Sequence, residues 1–137
     1  MKRAVLAALA ACSLAGAAQA GDVTIEFEGV QDRGGQLLAA LSSKGEFLGR
    51  ARFSDRVVSP RPGVVRVTFR DVPAGDYAVT AIHDADDDGR LKMDGYMPAE
   101  GWAFSGPPLM GPPDFELQKV SVPEGGATLR VPVVYPY

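Results

Sequence analysis

The sequence predicts an all-β fold, an antiparallel sandwich of about seven short strands carrying one long loop, and three observations predict it. Apolar residues recur at every second position in several segments, as in Val23, Ile25 and Phe27 or Val65, Val67 and Phe69. Turn chemistry separates these segments, and the chain's 16 glycines and 11 prolines are enough for many turns. After the leader, no segment carries the apolar period of an amphipathic helix, so strands must bury their faces on one another, and two packed sheets do this.

The first 20 residues read as a signal peptide. Lys2 and Arg3 form a basic start, Ala4 to Ala17 is a run of apolar and small residues, and Ala18-Gln19-Ala20 is a small-x-small cleavage site. The run is shorter than the roughly 20 residues that span a bilayer, which favours cleavage after Ala20 over a membrane anchor. The minor alternative is a lipoprotein: Leu9-Ala10-Ala11-Cys12 resembles the box before a lipidated cysteine. The expected location is periplasmic or secreted, with residues 21–137 forming a single sandwich domain and no transmembrane helix in the mature chain. The leader carries two of the 14 basic residues and none of the 17 acids, so its removal takes the net charge from −3 to −5. An acidic surface disfavours nucleic acid and anionic lipid as partners and leaves protein, peptide or glycan. The one cysteine, Cys12, leaves with the leader, so no disulfide supports the fold.

Each element has its own local reason. Val23 to Phe27 alternates with Thr24, Glu26 and Glu28, and Asp32-Arg33-Gly34-Gly35 is a turn, so with Gln36 to Ser42 it reads as a hairpin. A further strand is expected near Ala51 to Val58. Pro60-Arg61-Pro62-Gly63 is a firm break. The alternating run around Val65 to Phe69 follows, then the turn Val72-Pro73-Ala74-Gly75-Asp76. Tyr77 to His83 is apolar on both faces and so belongs at a sheet centre. Phe115 to Val122 and Thr128 to Tyr135 are the last expected strands. From His83 to Phe115 no strand pattern is visible, and ordered loops of that length usually carry function.

These residues resemble the bacterial family catalogued as domain of unknown function 2141. The resemblance lies in Pro73-Ala74-Gly75-Asp76-Tyr77, then His83-Asp84 with alternating acids and Gly89. It continues in Pro98-x-Glu100-Gly101, Phe104-Ser105, Gly111-Pro112-Pro113-x-Phe115 and a last strand ending in an aromatic. It covers nearly all of the mature chain and implies an exported, β-sandwich-like domain, immunoglobulin-like or transthyretin-like, with no known activity. The turn-plus-tyrosine hairpin alone is similar to transthyretin-like regulatory domains found beside carboxypeptidases. Lys92 stands where the family's loop is expected to have a small polar or acidic residue.

The loop after Tyr77–His83 places five carboxylates in eleven residues, from Asp84 to Asp94. Counting Asp84 as position 1, Asp86 and Asp88 fall at 3 and 5, Gly89 at 6 and Arg90 at 7, which is the first half of a calcium-loop pattern. Hard oxygen ligands at alternating positions suit Ca²⁺ because the turn points them at one centre. The second half is missing: Lys92 is at 9 and Gly95 at 12, so Asp94 or Glu100 must supply the closing ligand. The expected ligands are therefore the carboxylates of Asp84, Asp86 and Asp88, the Arg90 carbonyl, and Asp94 or Glu100, with weak affinity on the order of 10⁻⁴–10⁻³ M. The competing reading is a solvated turn whose aspartates accept backbone N–H bonds.

His83, the only histidine, neighbours Asp84. Neighbours on a strand face opposite sides, so a catalytic pair is not implied. No nucleophile-elbow serine is present, and zinc lacks a second nitrogen or sulfur ligand. Tyr96, Trp102, Phe104 and Phe115 either pin the long loop or form an aromatic platform for sugar or peptide. The leading expectation is a non-catalytic binding or accessory module. The alternatives are a hydrolase-like enzyme using His83 with a loop carboxylate and a transthyretin-like small-ligand carrier.

Overall fold

Ten strands, one 3₁₀ turn and one short helix follow each other in the computed structural model, which describes residues 19–136. The signal peptide and the Cys12 box lie almost entirely outside the described residues. In chain order the elements are β1 (Gly21–Val30), β2 (Gln36–Ser42), a 3₁₀ turn (Lys44–Glu46), β3 (Phe53–Val58), β4 (Gly63–Val72) and β5 (Gly75–Asp84). Then come β6 (Met93–Asp94), β7 (Met97–Pro98), β8 (Gly101–Phe104), α1 (Phe115–Gln118), β9 (Val120–Val122) and β10 (Gly126–Pro132). One sheet has the order β10-β1-β4, the other β3-β2-β5-β8 with β9 also paired to β5, and β6-β7 is a separate hairpin. The fold is the expected all-β sandwich.

The period-two faces meet between the sheets. Val23, Ile25 and Phe27 of β1 and Val65, Val67 and Phe69 of β4 pack against Leu37, Ala39 and Leu41 of β2 and Tyr77, Val79 and Ala81 of β5. All are buried, and burial at this scale is the main stabilising contribution. The Tyr77 hydroxyl donates to the Pro73 carbonyl at 2.8 Å, which ties the start of β5 to its own turn as a tyrosine corner does.

Four expectations need correction. β1 and β2 are not a hairpin: β1 pairs with β4 and β10, while β2 pairs with β3 and β5. The link between them crosses from one sheet to the other, and Gly34 and Gly35, at φ 64° and 63°, accommodate the crossing. The pairing is also not wholly antiparallel, because β1 and β10 run parallel.

Residues 115–118 are helix and not strand. Asp114 caps that turn, its Oδ1 accepting the Glu116 N–H at 2.8 Å. Finally, the apparently patternless stretch contains β8, a full partner of β5. Its core-facing positions are Gly101 and Ala103, too small to register as an apolar alternation. Gly101 is small for a reason, since a Cβ there would sit 2.5 Å from the Tyr135 ring. Beyond β10 the chain crosses sheets, and Val134 bridges Trp102 of β8.

Candidate functional site

The last residues of β5 face opposite sides of their sheet. His83 and Asp84 are both fully buried, yet they share no hydrogen-bond partner. His83 points between the sheets, where its Nε2–H donates to the Gly34 carbonyl at 2.8 Å. Because a carbonyl can only accept, in the neutral imidazole Nδ1 accepts from the Tyr135 hydroxyl at 2.6 Å. That hydroxyl in turn accepts the Gln31 N–H at 3.0 Å, and burial pushes its pKa up, so it keeps its proton. The ring therefore joins the crossing between β1 and β2 to the C-terminal segment.

Asp84 starts the acidic loop on the outer face. Its Oδ2 accepts from the Gln36 side-chain amide at 2.7 Å and from the Gly89 N–H at 2.7 Å, and its Oδ1 accepts from the Asp88 N–H at 3.2 Å. The loop thus folds back over its own first carboxylate, with Asp87 at φ 56° and Gly89 at φ 74° making the bend. Glu100, also buried, closes the far end: Oε1 accepts from the Ala85 N–H at 3.2 Å and Oε2 from the Lys92 N–H at 3.0 Å. The Ala99 N–H donates to the Lys92 carbonyl at 2.7 Å, so Lys92 serves the loop through its backbone. The segment is held in one shape at both ends.

One carboxylate oxygen each from Asp84, Asp86, Asp88 and Glu100 lies within 4.8 Å of the others. Of the sequence-predicted residues, these four come together. Asp94 does not: it is exposed in β6, whose pairing with β7 carries it outward, so of the two it is Glu100 that lies with the aspartates. Arg90 stays beside the cluster, its N–H donating to Asp88 Oδ1 at 2.8 Å. Among the described residues, no ion pair reaches any of the four. Burial pushes the Asp84 carboxyl up, but bonds from Gln36, Gly89, Asp86 and Asp88 outweigh it and hold it below its ordinary value. Asp86 moves the other way, raised by its hydrogen bond to Asp84, by desolvation, and by the charges of Asp88 and Glu100. The crowding of like charges thus falls on Asp86, whose carboxyl is made harder to ionise.

Three contributors escape a linear reading. Gln36 reaches Asp84 because β2 pairs with β5 in a register that sets the two opposite each other. Gly35 lets the crossing chain lie against the loop, since a Cβ there would be 2.1 Å from the Asp84 carbonyl oxygen. Tyr135 comes from the far end of the chain. The aromatics divide: Phe47 packs edge-on against Phe104 and Phe115, at centroid distances of 6.5 and 5.7 Å, whereas Tyr96 is fully exposed at the tip of β6-β7 and pins nothing. Ser105 and Gln118 secure the proline-rich segment. The Ser105 hydroxyl accepts from the Val79 N–H at 2.8 Å and donates to the Gln118 carbonyl at 2.6 Å, while the Gln118 amide bonds Asp114 N–H and the Pro107 carbonyl.

No curated protein and no solved structure gives a significant match to the chain. A family model described as an uncharacterized protein conserved in bacteria, DUF2141, matches residues 25–130. That match runs from β1 into β10 and takes in the whole acidic loop, and the chain belongs to this family.

Proposed function

We propose that the protein is an exported, non-catalytic binding module whose acidic loop is a weak calcium site, with Asp84, Asp86, Asp88 and Glu100 as carboxylate ligands and Arg90 offering its carbonyl. The observation that carries this reading is the convergence of four carboxylate oxygens within 4.8 Å, with no cationic side chain among the described residues paired to them. Calcium–oxygen distances of about 2.3–2.6 Å put ligands on opposite sides of an ion about 5 Å apart, so one ion can touch all four. The backbone bonds leave a lone pair on Asp84 Oδ1 and on each Glu100 oxygen and fix their direction. Bound Ca²⁺ would offset the like charges that these carboxylates bring together.

Neither alternative draws comparable support. A hydrolase built on His83 needs that ring at a surface, and it is 0 % exposed with both nitrogens engaged. A carrier with its ligand between the sheets needs the space that the packed core fills.

The test is thermal melting of the mature chain in 1 mM Ca²⁺ and in chelator. With Kd on the order of 10⁻⁴ M, linkage adds about 1.4 kcal/mol, roughly 5 °C in a domain of this size. Coincident melting curves would remove the metal from the proposal. Export is tested separately, by the mass of the protein recovered from the periplasm or medium, expected to begin at Gly21.

A further inference from the structure

Among the described residues, no packed layer covers the middle of the outer face of the five-stranded sheet, where Leu38, Ala40, Thr80, Ile82 and Trp102 are half-buried and line an open groove. The registers of β2, β3, β5 and β8 set Arg56, Leu38, Ile82 and Trp102 in one row across it. The next row is Ser54, Ala40, Thr80 and Phe104. The small Ala40 and Thr80 lie between larger neighbours and deepen the middle. Leu48 to Ala51 forms one wall and Leu91 of the acidic loop another, enclosing a groove of about 880 Å³. That is within the size of small-molecule sites, roughly 300–1,000 Å³.

Charge is distributed unevenly along this groove. Arg56 stands on β3 at one side and Arg50 in the Leu48–Ala51 wall, and neither has an ion-pair partner among the described residues. Asp55 is the one acid in the lining, and its Oδ1 accepts the Arg56 N–H at 2.7 Å. The opposite side is aromatic, Trp102 and Phe104, with the acidic loop above it. An occupant therefore has its anionic group toward Arg56 and its apolar body toward Trp102. The reverse orientation would bring like charges together at the loop.

We infer that this groove binds a monomeric amphipathic carboxylate, its head paired with Arg56 and its chain lying over Leu38, Ile82 and Trp102. The inference rests on the binding-module reading but not on calcium. The span from β3 to β8 is about 14 Å, three interstrand steps of about 4.8 Å, which an extended decanoate fills.

Trp102 is the only tryptophan of the chain, so tryptophan emission reports its surroundings, which are this groove and a smaller cleft beside Pro107 and Leu109. Variants at Arg56 and Ala40, placed in the groove only, tell the two apart. Decanoate, titrated below its micelle concentration into the mature chain, should give a saturable change in Trp102 emission, in chelator as well as in Ca²⁺. Decanol and decylamine should bind more weakly. Arg56→Gln, an exposed change that leaves the fold intact, should weaken decanoate roughly three- to tenfold. Ala40→Phe, filling the floor, should weaken it by more while circular dichroism stays unchanged. No saturable response, equal binding of all three amphiphiles, an unaffected Arg56→Gln, or a response to anionic vesicles alone would overturn the inference. Because the calcium reading is judged by melting and this one by emission, either can fail without the other.

Discussion

Asp86 is where the site's electrostatics are most exposed to experiment. Its pKa is raised above the usual 3.8, chiefly by its bond to Asp84, so the folded state takes up this proton at a higher pH than the unfolded chain does. Stability tied to that proton is present below pH 3.8 and is lost as pH rises through the folded value. Asp84 has the opposite sign: its pKa is lowered, so its contribution is present above its ordinary value and lost as pH falls through the folded one. Asp86→Asn is therefore expected to melt above the natural protein in chelator at neutral pH, with the gap closing toward pH 4, and to lose the calcium response. Melting curves from pH 4 to 7 check both. Tyr135→Phe removes the donor to His83 Nδ1 and the acceptor of the Gln31 N–H, an expected loss of about 1–3 kcal/mol in urea unfolding. The alternating aspartates were legible because side-chain chemistry and spacing are linear properties. Glu100 was legible only as one of two closing residues, and Gln36 not at all, because which strand lies beside β5 is not written in the order of residues.

At the scale of elements, short-range patterning carried far where faces were large and failed where they were small. β1, β4 and β5 were readable because Val, Ile and Phe alternate on them. β8 was hidden because Gly101 and Ala103 give its buried side almost no side-chain volume. The mistaken hairpin of β1 and β2 has a similar cause: a glycine turn between two strands is the same local signal whether the chain folds back or crosses between sheets. Gly35 is decisive there, since its φ of 63° and its approach to the Asp84 carbonyl both exclude a side chain. Gly35→Ala is expected to cost more than about 2 kcal/mol and to weaken calcium binding by moving Asp84, read by urea unfolding and metal titration. Ser105→Ala strips a buried acceptor from the Val79 N–H and a donor from the Gln118 carbonyl. It should cost about 2–3 kcal/mol and raise hydrogen exchange across residues 106–118 first.

Across the whole molecule, the sandwich gives its two sheet faces different tasks. The inner faces supply the hydrophobic core, and His83, Tyr135 and the β1–β2 crossing lock its end. The outer face of the larger sheet carries the groove, with the acidic loop at one end of the same strands. The family match over residues 25–130 spans both. If the loop is a calcium site, the ion binds to a structure already held by Asp84 and Glu100, so occupancy should be local and leave the sheets unchanged. Amide resonances followed during a calcium titration of the isotope-labelled mature chain measure this. A saturable, one-to-one change is expected, with Kd on the order of 10⁻⁴ M, largest at Ala85, Asp88, Gly89, Arg90 and Lys92, whose N–H groups hold the carboxylates. Resonances that stay fixed, or that drift without saturating at scattered acids such as Glu26 and Glu28, would contradict it.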